Sequence, residues 1–310
     1  MDLMVVIALL VGGLILLVWG ADRFIDASSK IALQLGVSEL VIGLTLVAFG
    51  TSAPEVSVAI ASVINQNANI AIGTIVGSNI ANIGLVFGIS MFGFAGSKNL
   101  SKIPLRCFAL SVIWLFITLQ DDLYIDVSES IGFIAILVLF LYGLYEENAA
   151  SKSSAQEFES KEVFFAFLSL VALIIGAQVT VENAEKLALL FGISETIIGL
   201  TIIAVGTSLP ELAASLAALY KQKGQMIVGN IIGSNVFNIV TVMPIIGFGI
   251  QANIDPQILA NDIWYLMLLS VMFFVIATMQ AKITASILKL IGTLLIVIYS
   301  FFVINIFFGL

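Results

Sequence analysis

The sequence predicts an all-α polytopic membrane protein whose ten transmembrane helices form two inverted-topology repeats of five helices each. Three observations support this fold class: an apolar composition, a motif that occurs twice, and an uneven distribution of basic residues. Of the 310 residues, 60% are hydrophobic and 10% are charged, and the mean hydropathy is +1.15. A water-soluble domain carries about 25% charged residues, so this composition favours a chain that lies almost entirely in the membrane.

The apolar segments are long enough for ten membrane spans, since about 20 residues cross a bilayer. The predicted spans lie near residues 4–20, 39–64, 69–93, 105–120, 131–145, 163–181, 195–220, 225–249, 262–280 and 284–307. The polar stretch 146–162 separates a first repeat, 1–145, from a second repeat, 163–310. The first segment has the length of a signal peptide. However, Asp2 stands where such a peptide is basic, so we expect a membrane span there.

A stretch of the first half recurs in the second half, 156 positions later and without a gap. Residues 39–84 and 195–240 share 20 identities in 46 aligned positions. The repeated core reads Gly-Thr-Ser-x-Pro-Glu, and Gly-Ser-Asn-x-x-Asn follows it in each half. With five spans in each repeat, the second repeat must enter the membrane in the opposite orientation. Paired apolar segments interrupted by glycine and proline indicate the binding site of a transporter.

The basic residues indicate which ends of the spans face the cytoplasm, because cytoplasmic loops are enriched in lysine and arginine. With both termini outside, eleven of the 12 basic residues fall inside and only Lys186 falls outside. The stretch 146–162 is then a short cytoplasmic linker of a multi-pass cell-membrane protein. It carries five glutamates, as an acidic calcium sensor would, but its composition is typical of a solvated loop. We interpret the acidic outer loop 120–130 in the same way.

Two glutamates, Glu55 and Glu211, lie within these apolar runs. An ionisable side chain at membrane depth is costly, so each one indicates a functional site. Pro54 has no N–H to donate to the carbonyl of Gly50. We therefore expect the carbonyls from Ala48 to Gly50 to be free and to line a cavity. A purely structural role, with two protonated glutamates bonded across a two-fold axis, is the alternative. Their identical Gly-Thr-Ser-x-Pro context favours function.

The predicted site offers only oxygen ligands: carboxylates, hydroxyls, amide oxygens and backbone carbonyls. The candidate ligands are Thr51, Ser52, Glu55, Ser78 and Asn82 in the first half and Thr207, Ser208, Glu211, Ser234 and Asn238 in the second. The chain has no histidine and a single cysteine, which argues against soft metals. Ca²⁺ takes 6–8 oxygen ligands in flexible geometry. Two carboxylates carry a charge of −2, which balances one Ca²⁺ or two monovalent cations.

The doubled motif resembles the alpha-1 and alpha-2 repeats of the calcium/cation antiporter superfamily, and within it the prokaryotic sodium/calcium exchangers. The resemblance implies that Glu55 and Glu211 hold Ca²⁺ together with Thr51 and Thr207. It implies flanking sodium positions, with their ligands grouped as Ser52, Ser78 and the Ala48 carbonyl, and as Ser208, Ser234 and the Ala204 carbonyl. Asn82 and Asn238 complete the centre. Many relatives carry aspartate at the position of Asn238, and the amide weakens the case for potassium co-transport.

These observations predict a secondary active antiporter that exchanges Na⁺ for Ca²⁺ by alternating access, is electrogenic and does not require K⁺. H⁺/Ca²⁺ exchange and K⁺-dependent Na⁺/Ca²⁺ exchange are alternatives within the class. A cation channel is less favoured, because one chain supplies both halves of the site whereas channels ring an axis with several subunits. An enzyme is not expected, since no histidine and no nucleophile–base pair is evident.

The expected partners are Ca²⁺, Na⁺ and the lipid bilayer. We expect no cofactor and no obligate protein partner. A net charge of −8 argues against nucleic acid, whose binding requires a basic surface.

Overall fold

The computed structural model describes residues 3–66, 68–93, 102–121, 125–150, 159–192, 204–249, 261–279 and 283–308. These residues form helices and connecting turns, without a strand. The helices are α1 (Leu3–Leu35), α2 (Glu39–Thr51), α3 (Ala53–Ile64), α4 (Ala68–Ser90), α5 (Lys102–Asp121), α6 (Val127–Ala150), α7 (Ser160–Leu190), α8 (Leu209–Tyr220), α9 (Gly224–Gly249), α10 (Ile263–Met279) and α11 (Ala285–Phe308). A single helical turn, Ala204–Gly206, precedes α8.

The prediction of an all-α polytopic membrane protein is confirmed. In the described part of the chain, seven helices are long and apolar enough to cross a membrane, and the pair α2/α3 makes an eighth span if counted as one. The apolar helices α8 and α10 are shorter. The count of ten spans stays a prediction, because residues 195–203 of the predicted span 195–220 lie outside the described residues.

The predicted span 39–64 is a broken helix, with α2 and α3 bent by 46°. Ser52 ends α2 with φ −83° and ψ 3°, and Pro54 lies in the first turn of α3. Proline is tolerated there because the first N–H groups of a helix have no partner within it. The break therefore places the Thr-Ser-x-Pro-Glu sequence at a bend between two helices.

Helices α1 and α7 are longer than the spans predicted at 4–20 and 163–181, with 33 and 31 residues. At 1.5 Å per residue, α1 is about 50 Å long, whereas the hydrocarbon core of a bilayer is about 30 Å thick. Hydropathy alone ends the first span at Gly20, where charged residues begin. The helix continues because Phe24, Ile25 and Ile31 remain buried in the protein.

Helices α1 and α7 cross at two glycines that occupy equivalent positions in the repeats. A Cβ atom on Gly20 would lie 2.6 Å from the backbone nitrogen of Leu173, and one on Gly176 would lie 2.4 Å from that of Leu17. Both the glycines and the leucines are 156 positions apart. The crossing therefore follows the two-fold relation between the halves, with a close backbone approach that only small residues allow.

A second close contact joins the halves where α2 packs against α9. A Cβ atom on Gly43 would lie 2.7 Å from the carbonyl oxygen of Met226, and one on Gly229 would lie 2.7 Å from that of Leu40. Further along, a Cβ atom on Gly233 would lie 2.5 Å from the Cβ atom of Ala48. These contacts hold the end of α2 against the middle of α9, so they bring the two copies of the motif together.

Ion pairs tie several elements together at one end of the molecule. Lys30 at the end of α1 lies 3.1 Å from Glu162 in α7. Lys221 lies 2.7 Å from Asp22 and 2.9 Å from Asp26. Partial burial acts to lower the pKa of Lys221, but its bonds to the two aspartates outweigh that effect and raise it. This end contains basic residues assigned to the inside, although its cytoplasmic location stays a prediction.

Asp126 is a helix cap. Its Oδ1 accepts the Glu129 N–H at 2.9 Å, and Glu129 Oε2 accepts the Asp126 N–H at 3.0 Å, which is a reciprocal capping box at the start of α6. The bond from the Glu129 N–H, followed by that from the Ser128 hydroxyl, lowers the pKa of Asp126. Residues 122–124 of the predicted outer loop 120–130 lie outside the described residues.

Helices reach into both ends of the predicted linker, because α6 continues to Ala150 and α7 begins at Ser160. Residues 151–158 of the linker lie outside the described residues. The boundaries of the two repeats and the linker therefore stay predictions.

Candidate functional site

The repeated motifs meet where α2 and α3 join, at the start of α8, and in the middle of α4 and α9. Glu55 and Glu211 are 1% and 0% exposed. The remaining predicted side-chain ligands that are buried are Thr51, Ser52, Ser78, Asn82, Ser208, Ser234 and Asn238. Thr207 is half-buried. Oxygen-bearing side chains from both halves are thus enclosed in one place within an apolar protein.

Each glutamate is held by a serine. Ser52 Oγ donates to Glu211 Oε1 at 3.2 Å, which joins the two halves directly. Ser78 Oγ lies 3.3 Å from Glu55 Oε1 and 3.5 Å from Thr207 Oγ1. Ser52 lies three residues before Glu55, so its bond to Glu211 brings both carboxylates to the same junction. The site therefore concentrates negative charge at the junction of the repeats.

Several buried polar atoms at this junction have no hydrogen-bond partner within the described part of the chain. The oxygens among them are Glu55 Oε2, Glu211 Oε2, Asn82 Oδ1, Asn238 Oδ1 and Ser208 Oγ. Leaving a buried acceptor unpaired costs about 1–3 kcal/mol, so a protein rarely gathers several without a use for them. Carboxylate, amide and hydroxyl oxygens are the ligands that hard cations prefer. The cluster has the donor chemistry of a cation site.

The described part of the chain brings two carboxylates to the site, Glu55 and Glu211. Among the described residues, no group of three or more histidine, cysteine, aspartate or glutamate side chains is arranged to hold a metal ion. Neutral oxygens must therefore supply most of the ligands for any cation that binds between Glu55 and Glu211.

The prediction that the Ala48 carbonyl is free is wrong. Its oxygen accepts the Ser52 N–H at 3.0 Å and lies 3.5 Å from Ser234 Oγ. The physical reason is that Pro54 removes only the bond that would reach Gly50, four residues earlier. The N–H of Ser52 lies before the proline, so it keeps its helical partner. Thr51 Oγ1 also lies 3.3 Å from this oxygen, so the two lone pairs of the Ala48 carbonyl face three polar contacts.

The contacts also group the predicted sodium ligands differently from the resemblance. Ala48 lies beside Ser234 of the second half, whereas Ser78 contacts Glu55 and Thr207. Ala204 begins the single helical turn before α8. Ser234 thus contacts the opposite half at Ala48, whereas Ser78 contacts one residue of each half.

Two widened, π-type segments border the site, Gly43–Val47 in α2 and Asn82–Phe87 in α4. Widened turns of this kind occur often at functional sites, because they shift the helix face that follows. The first ends just before Ala48 and the second begins at Asn82. In the second half, α9 has regular α-helical turns through Asn238.

The structure adds four polar residues that the candidate ligands did not include. Asn79 Oδ1 accepts the Asn238 Nδ2 proton at 3.2 Å, and Asn79 Nδ2 donates to the carbonyl of Asn235 at 3.2 Å. Both asparagines recur in the repeat, and that signal was enough to find them.

The other two additional residues, Asn230 and Ser215, have no counterpart of the same type in the first half. Asn230 Oδ1 lies 3.3 Å from Thr51 Oγ1 and 3.4 Å from Ser234 Oγ, and Asn230 Nδ2 donates to Ser215 Oγ at 3.1 Å. The only sequence signal is spacing, since Asn230 lies four residues before Ser234 on one helix face.

Comparison with known proteins identifies the family. The sequence profile of the family described as "Sodium/calcium exchanger protein" matches residues 5–146 and 161–308, which is nearly the whole chain. The chain belongs to the sodium/calcium exchanger family. The resemblance of the doubled motif is thereby confirmed, and the family is one of membrane transporters rather than enzymes.

Relatives of this exchanger-family chain span several organisms. It is 34% identical over 284 residues to the inner membrane protein YrbG of Escherichia coli, covering 86% of each chain. It is 32% identical over 281 residues to the sodium/calcium exchanger MaX1 of Methanosarcina acetivorans, covering 76% of this chain and 80% of MaX1. It is also similar to the solved sodium/calcium exchanger of Methanococcus jannaschii. The TM-score is 0.82 at 28% identity, covering 97% of this chain and 98% of that one.

Proposed function

We propose that the protein is a secondary antiporter that exchanges Na⁺ for Ca²⁺ by alternating access through one site at the junction of its repeats. A single observation carries the proposal. Each half contributes one buried glutamate, each glutamate accepts a bond from a serine, and each has a second carboxylate oxygen without a partner among the described residues. Membership of the exchanger family supports the same choice of ions.

Ca²⁺ binds between Glu55 and Glu211, with Thr51 and Thr207 as neutral ligands. The two carboxylates supply a charge of −2, which matches one Ca²⁺. The second oxygen of each carboxylate supplies a ligand that does not compete with the serine bond. Na⁺ uses the same two carboxylates for charge, so the two kinds of ion exclude each other. This competition couples their movement in opposite directions.

The sodium positions follow the contacts between the halves. One position uses the Ala48 carbonyl with Ser234 and Thr51, whose hydroxyl oxygens lie 3.5 Å and 3.3 Å from the carbonyl oxygen. The other uses Ser78 and Thr207, which are 3.5 Å apart, together with Glu55. The remaining proposed ligands are Ser52, Ser208, the Ala204 carbonyl, Asn82 and Asn238.

Exchange is electrogenic and independent of K⁺. Asn82 and Asn238 add no charge to the two carboxylates, so one Ca²⁺ neutralises the site. Three Na⁺, the number that the resemblance to the exchangers suggests, leave it with one positive charge. A membrane potential acts on that charge with about 2.3 kcal/mol per 100 mV. With the linker 146–162 in the cytoplasm and both termini outside, an inside-negative potential draws Na⁺ in and drives Ca²⁺ out.

The test is uptake of radiolabelled Ca²⁺ into proteoliposomes that are free of K⁺ and loaded with Na⁺. We expect uptake to require Na⁺ on the opposite side, to slow when Na⁺ is added on the same side, and to change with the membrane potential. A protonophore and a pH difference set that potential. Liposomes without protein, and protein-containing liposomes without Na⁺, are the controls.

The alternatives give different results in the same assay. Uptake that follows the pH difference without Na⁺ indicates H⁺/Ca²⁺ exchange, and uptake that strictly requires K⁺ indicates K⁺-dependent exchange. Ca²⁺ flux without any ion on the opposite side indicates a channel. Each of these outcomes overturns the proposal.

A further inference from the structure

Asn79 lies between the two halves of the chain and belongs to none of the ligand sets above. It is fully buried in α4, directly after the proposed ligand Ser78. Asn79 Nδ2 donates to the main-chain carbonyl of Asn235 at 3.2 Å, and Asn79 Oδ1 accepts from Asn238 Nδ2 at 3.2 Å. Both partners lie in α9, so one amide of the first half is bonded twice to the second half.

These two bonds determine how both side-chain amides are turned. The oxygen of an amide only accepts hydrogen bonds, and its nitrogen only donates them. Because a main-chain carbonyl also only accepts, the Asn79 atom that faces Asn235 must be Nδ2, which leaves Oδ1 toward Asn238. Asn238 must then turn its own nitrogen toward Asn79. The amide oxygen of Asn238 therefore points away from this bond.

The amide oxygen of Asn238 is left for a partner of another kind. The residue is fully buried, and its Oδ1 has no hydrogen-bond partner among the described residues. Asn238 shares a face of α9 with the proposed ligand Ser234, because residues four apart are neighbours on a helix surface. An unpaired amide oxygen on this face is a suitable ligand for a hard cation, whereas an amide N–H group would repel one.

The equivalent asparagine of the second half makes a different bond. Asn235 lies 156 positions after Asn79, and its Nδ2 donates to the carbonyl of Ile231 in its own helix at 2.7 Å. Its Oδ1, which corresponds to the acceptor of the Asn238 bond, has no partner among the described residues. The same is true of both polar atoms of Asn82, the equivalent of Asn238. Asn235 therefore provides a matched comparison for Asn79.

We infer that Asn79 is a positioning residue, which holds the Asn238 amide so that its oxygen, and not its N–H group, is offered to the cation. The inference rests on the proposed Na⁺/Ca²⁺ exchange and on Asn238 as one of the ligands. Without Asn79 the Asn238 amide is free to rotate, so binding of the cation must first select one orientation. Partners that orient ligands from outside the coordination sphere usually change affinity by about 10–100-fold when removed.

The test compares Asn79→Leu with wild type, since leucine has a similar size and no hydrogen-bonding group. Equilibrium binding of radiolabelled Ca²⁺ to the purified protein in detergent, without Na⁺, gives the dissociation constant directly. This measurement does not require that a variant still transports. We expect Asn79→Leu to raise the dissociation constant for Ca²⁺ about tenfold. An unchanged dissociation constant overturns the inference.

A double-mutant cycle separates positioning from packing. Asn238→Ala has no amide left to orient, so adding Asn79→Leu to it should raise the dissociation constant for Ca²⁺ by less than about twofold. Residues that act through each other are not additive, whereas independent defects add. If Asn79→Leu has the same effect in the wild-type and the Asn238→Ala backgrounds, it acts as a general packing defect and the inference is overturned.

The matched control is Asn235→Leu, the same change at the equivalent buried position. Its effect on Ca²⁺ binding should be smaller, and an effect as large as that of Asn79→Leu contradicts the inference. Monodisperse elution in detergent and a single melting transition identify folded variants, and Asn79→Ala serves if Asn79→Leu is not folded. If wild-type protein shows no Na⁺-dependent Ca²⁺ flux in proteoliposomes, the proposed function fails. If wild type exchanges and the Asn79 variants bind Ca²⁺ as it does, only the role of Asn79 fails.

Discussion

The two halves carry the same motif, but their equivalent residues make different bonds. Ser52 donates across the junction to Glu211, whereas the hydroxyl of its equivalent Ser208 has no partner within the described residues. Ser78 contacts Glu55 of its own half, but its equivalent Ser234 contacts the Ala48 carbonyl instead of Glu211. The sequence repeat is therefore nearly symmetric at the site, and the hydrogen bonding is not.

We expect such a difference in any single conformation of the alternating-access transporter proposed above. A site that opens to one side of the membrane at a time cannot be symmetric about an axis that exchanges the two sides. We expect the pairs to exchange roles when the site opens to the other side, so that Ser208 approaches Glu55. Each variant can therefore be compared with the same substitution at the equivalent residue of the other half.

The largest effect is expected for the two carboxylates, where the halves should behave alike. Glu55→Gln and Glu211→Gln each remove half of the charge that faces Ca²⁺. Removal of a ligand's outer partner costs about 10–100-fold, so loss of a charged ligand should reduce Ca²⁺ transport by more than about 100-fold. Radiolabelled Ca²⁺ uptake measures this. Substantial uptake by one variant alone would show that the two glutamates are not equivalent. It would contradict the proposal that both bind the same Ca²⁺.

The next largest effect is expected at the central asparagines, where the halves should differ. Asn238→Asp removes the N–H that Asn79 Oδ1 accepts and sets a carboxylate against that oxygen. Asn82→Asp disturbs no such bond, because neither polar atom of Asn82 has a partner in the described part of the chain.

We expect Asn238→Asp to make Ca²⁺ uptake depend on pH or K⁺, since a proton or an added cation relieves the contact with Asn79. Asn82→Asp should show this dependence more weakly. The measurement is uptake across a pH series with and without K⁺. Identical pH and K⁺ responses in the two variants would contradict the assignment.

A smaller effect is expected for the serines. Ser52→Ala removes a bond to Glu211, whereas Ser208→Ala removes a hydroxyl without a partner among the described residues. A hydrogen bond to a charged group contributes about 1.5–3 kcal/mol. Ser52→Ala should therefore lower the melting temperature in detergent without Ca²⁺ more than Ser208→Ala does. Equal losses of melting temperature would show that the observed asymmetry does not persist in solution.

The smallest effect concerns how the last helix of each half begins. Asp126 caps α6, whereas α11 follows Thr284. Because folding lowers the pKa of Asp126, its contribution to stability is present above the unfolded pKa and disappears as the pH falls through the folded one.

Asp126→Ala should therefore lower the melting temperature slightly at pH 7 and have no effect well below the unfolded pKa of about 3.9. Thr284→Ala is the matched control, and its effect should not change with pH. If Asp126→Ala lowers the melting temperature by the same amount over this whole pH range, the capping role is contradicted.

Much of the site was predictable because duplication marks it. The repeat located both glutamates, their serines and their central asparagines, and i, i+4 spacing placed Ser78 and Asn82 on one helix face. The state of the Ala48 carbonyl was not predictable in this way. It depends on whether Ser52 keeps its helical bond before the bend, and proline affects only the residue four positions earlier.

Asn230 and Ser215 show a second limit of predicting site residues from the sequence. A search for matched residues in the two halves passes over positions where the halves differ, and both residues are unmatched. Their contacts join residues as far apart as Thr51 and Asn230, 179 positions in the chain. The length of α1 was underestimated for a related reason, since burial against the rest of the protein continues the helix where hydropathy alone would end it.

The packing of α2 against α9 has a consequence for the synthesis of the protein and its insertion into the membrane. Glu55 leaves the ribosome 156 residues before Glu211, and at about 5–20 residues per second that interval is roughly 8–30 s. During this time Gly43 has no Gly229 to pack against, and Glu55 has no partner half. The newly inserted first half must keep a carboxyl group in the bilayer, where water defects can relieve its cost. A ribosome that stalls between the halves would leave a membrane fragment with its polar groups uncovered.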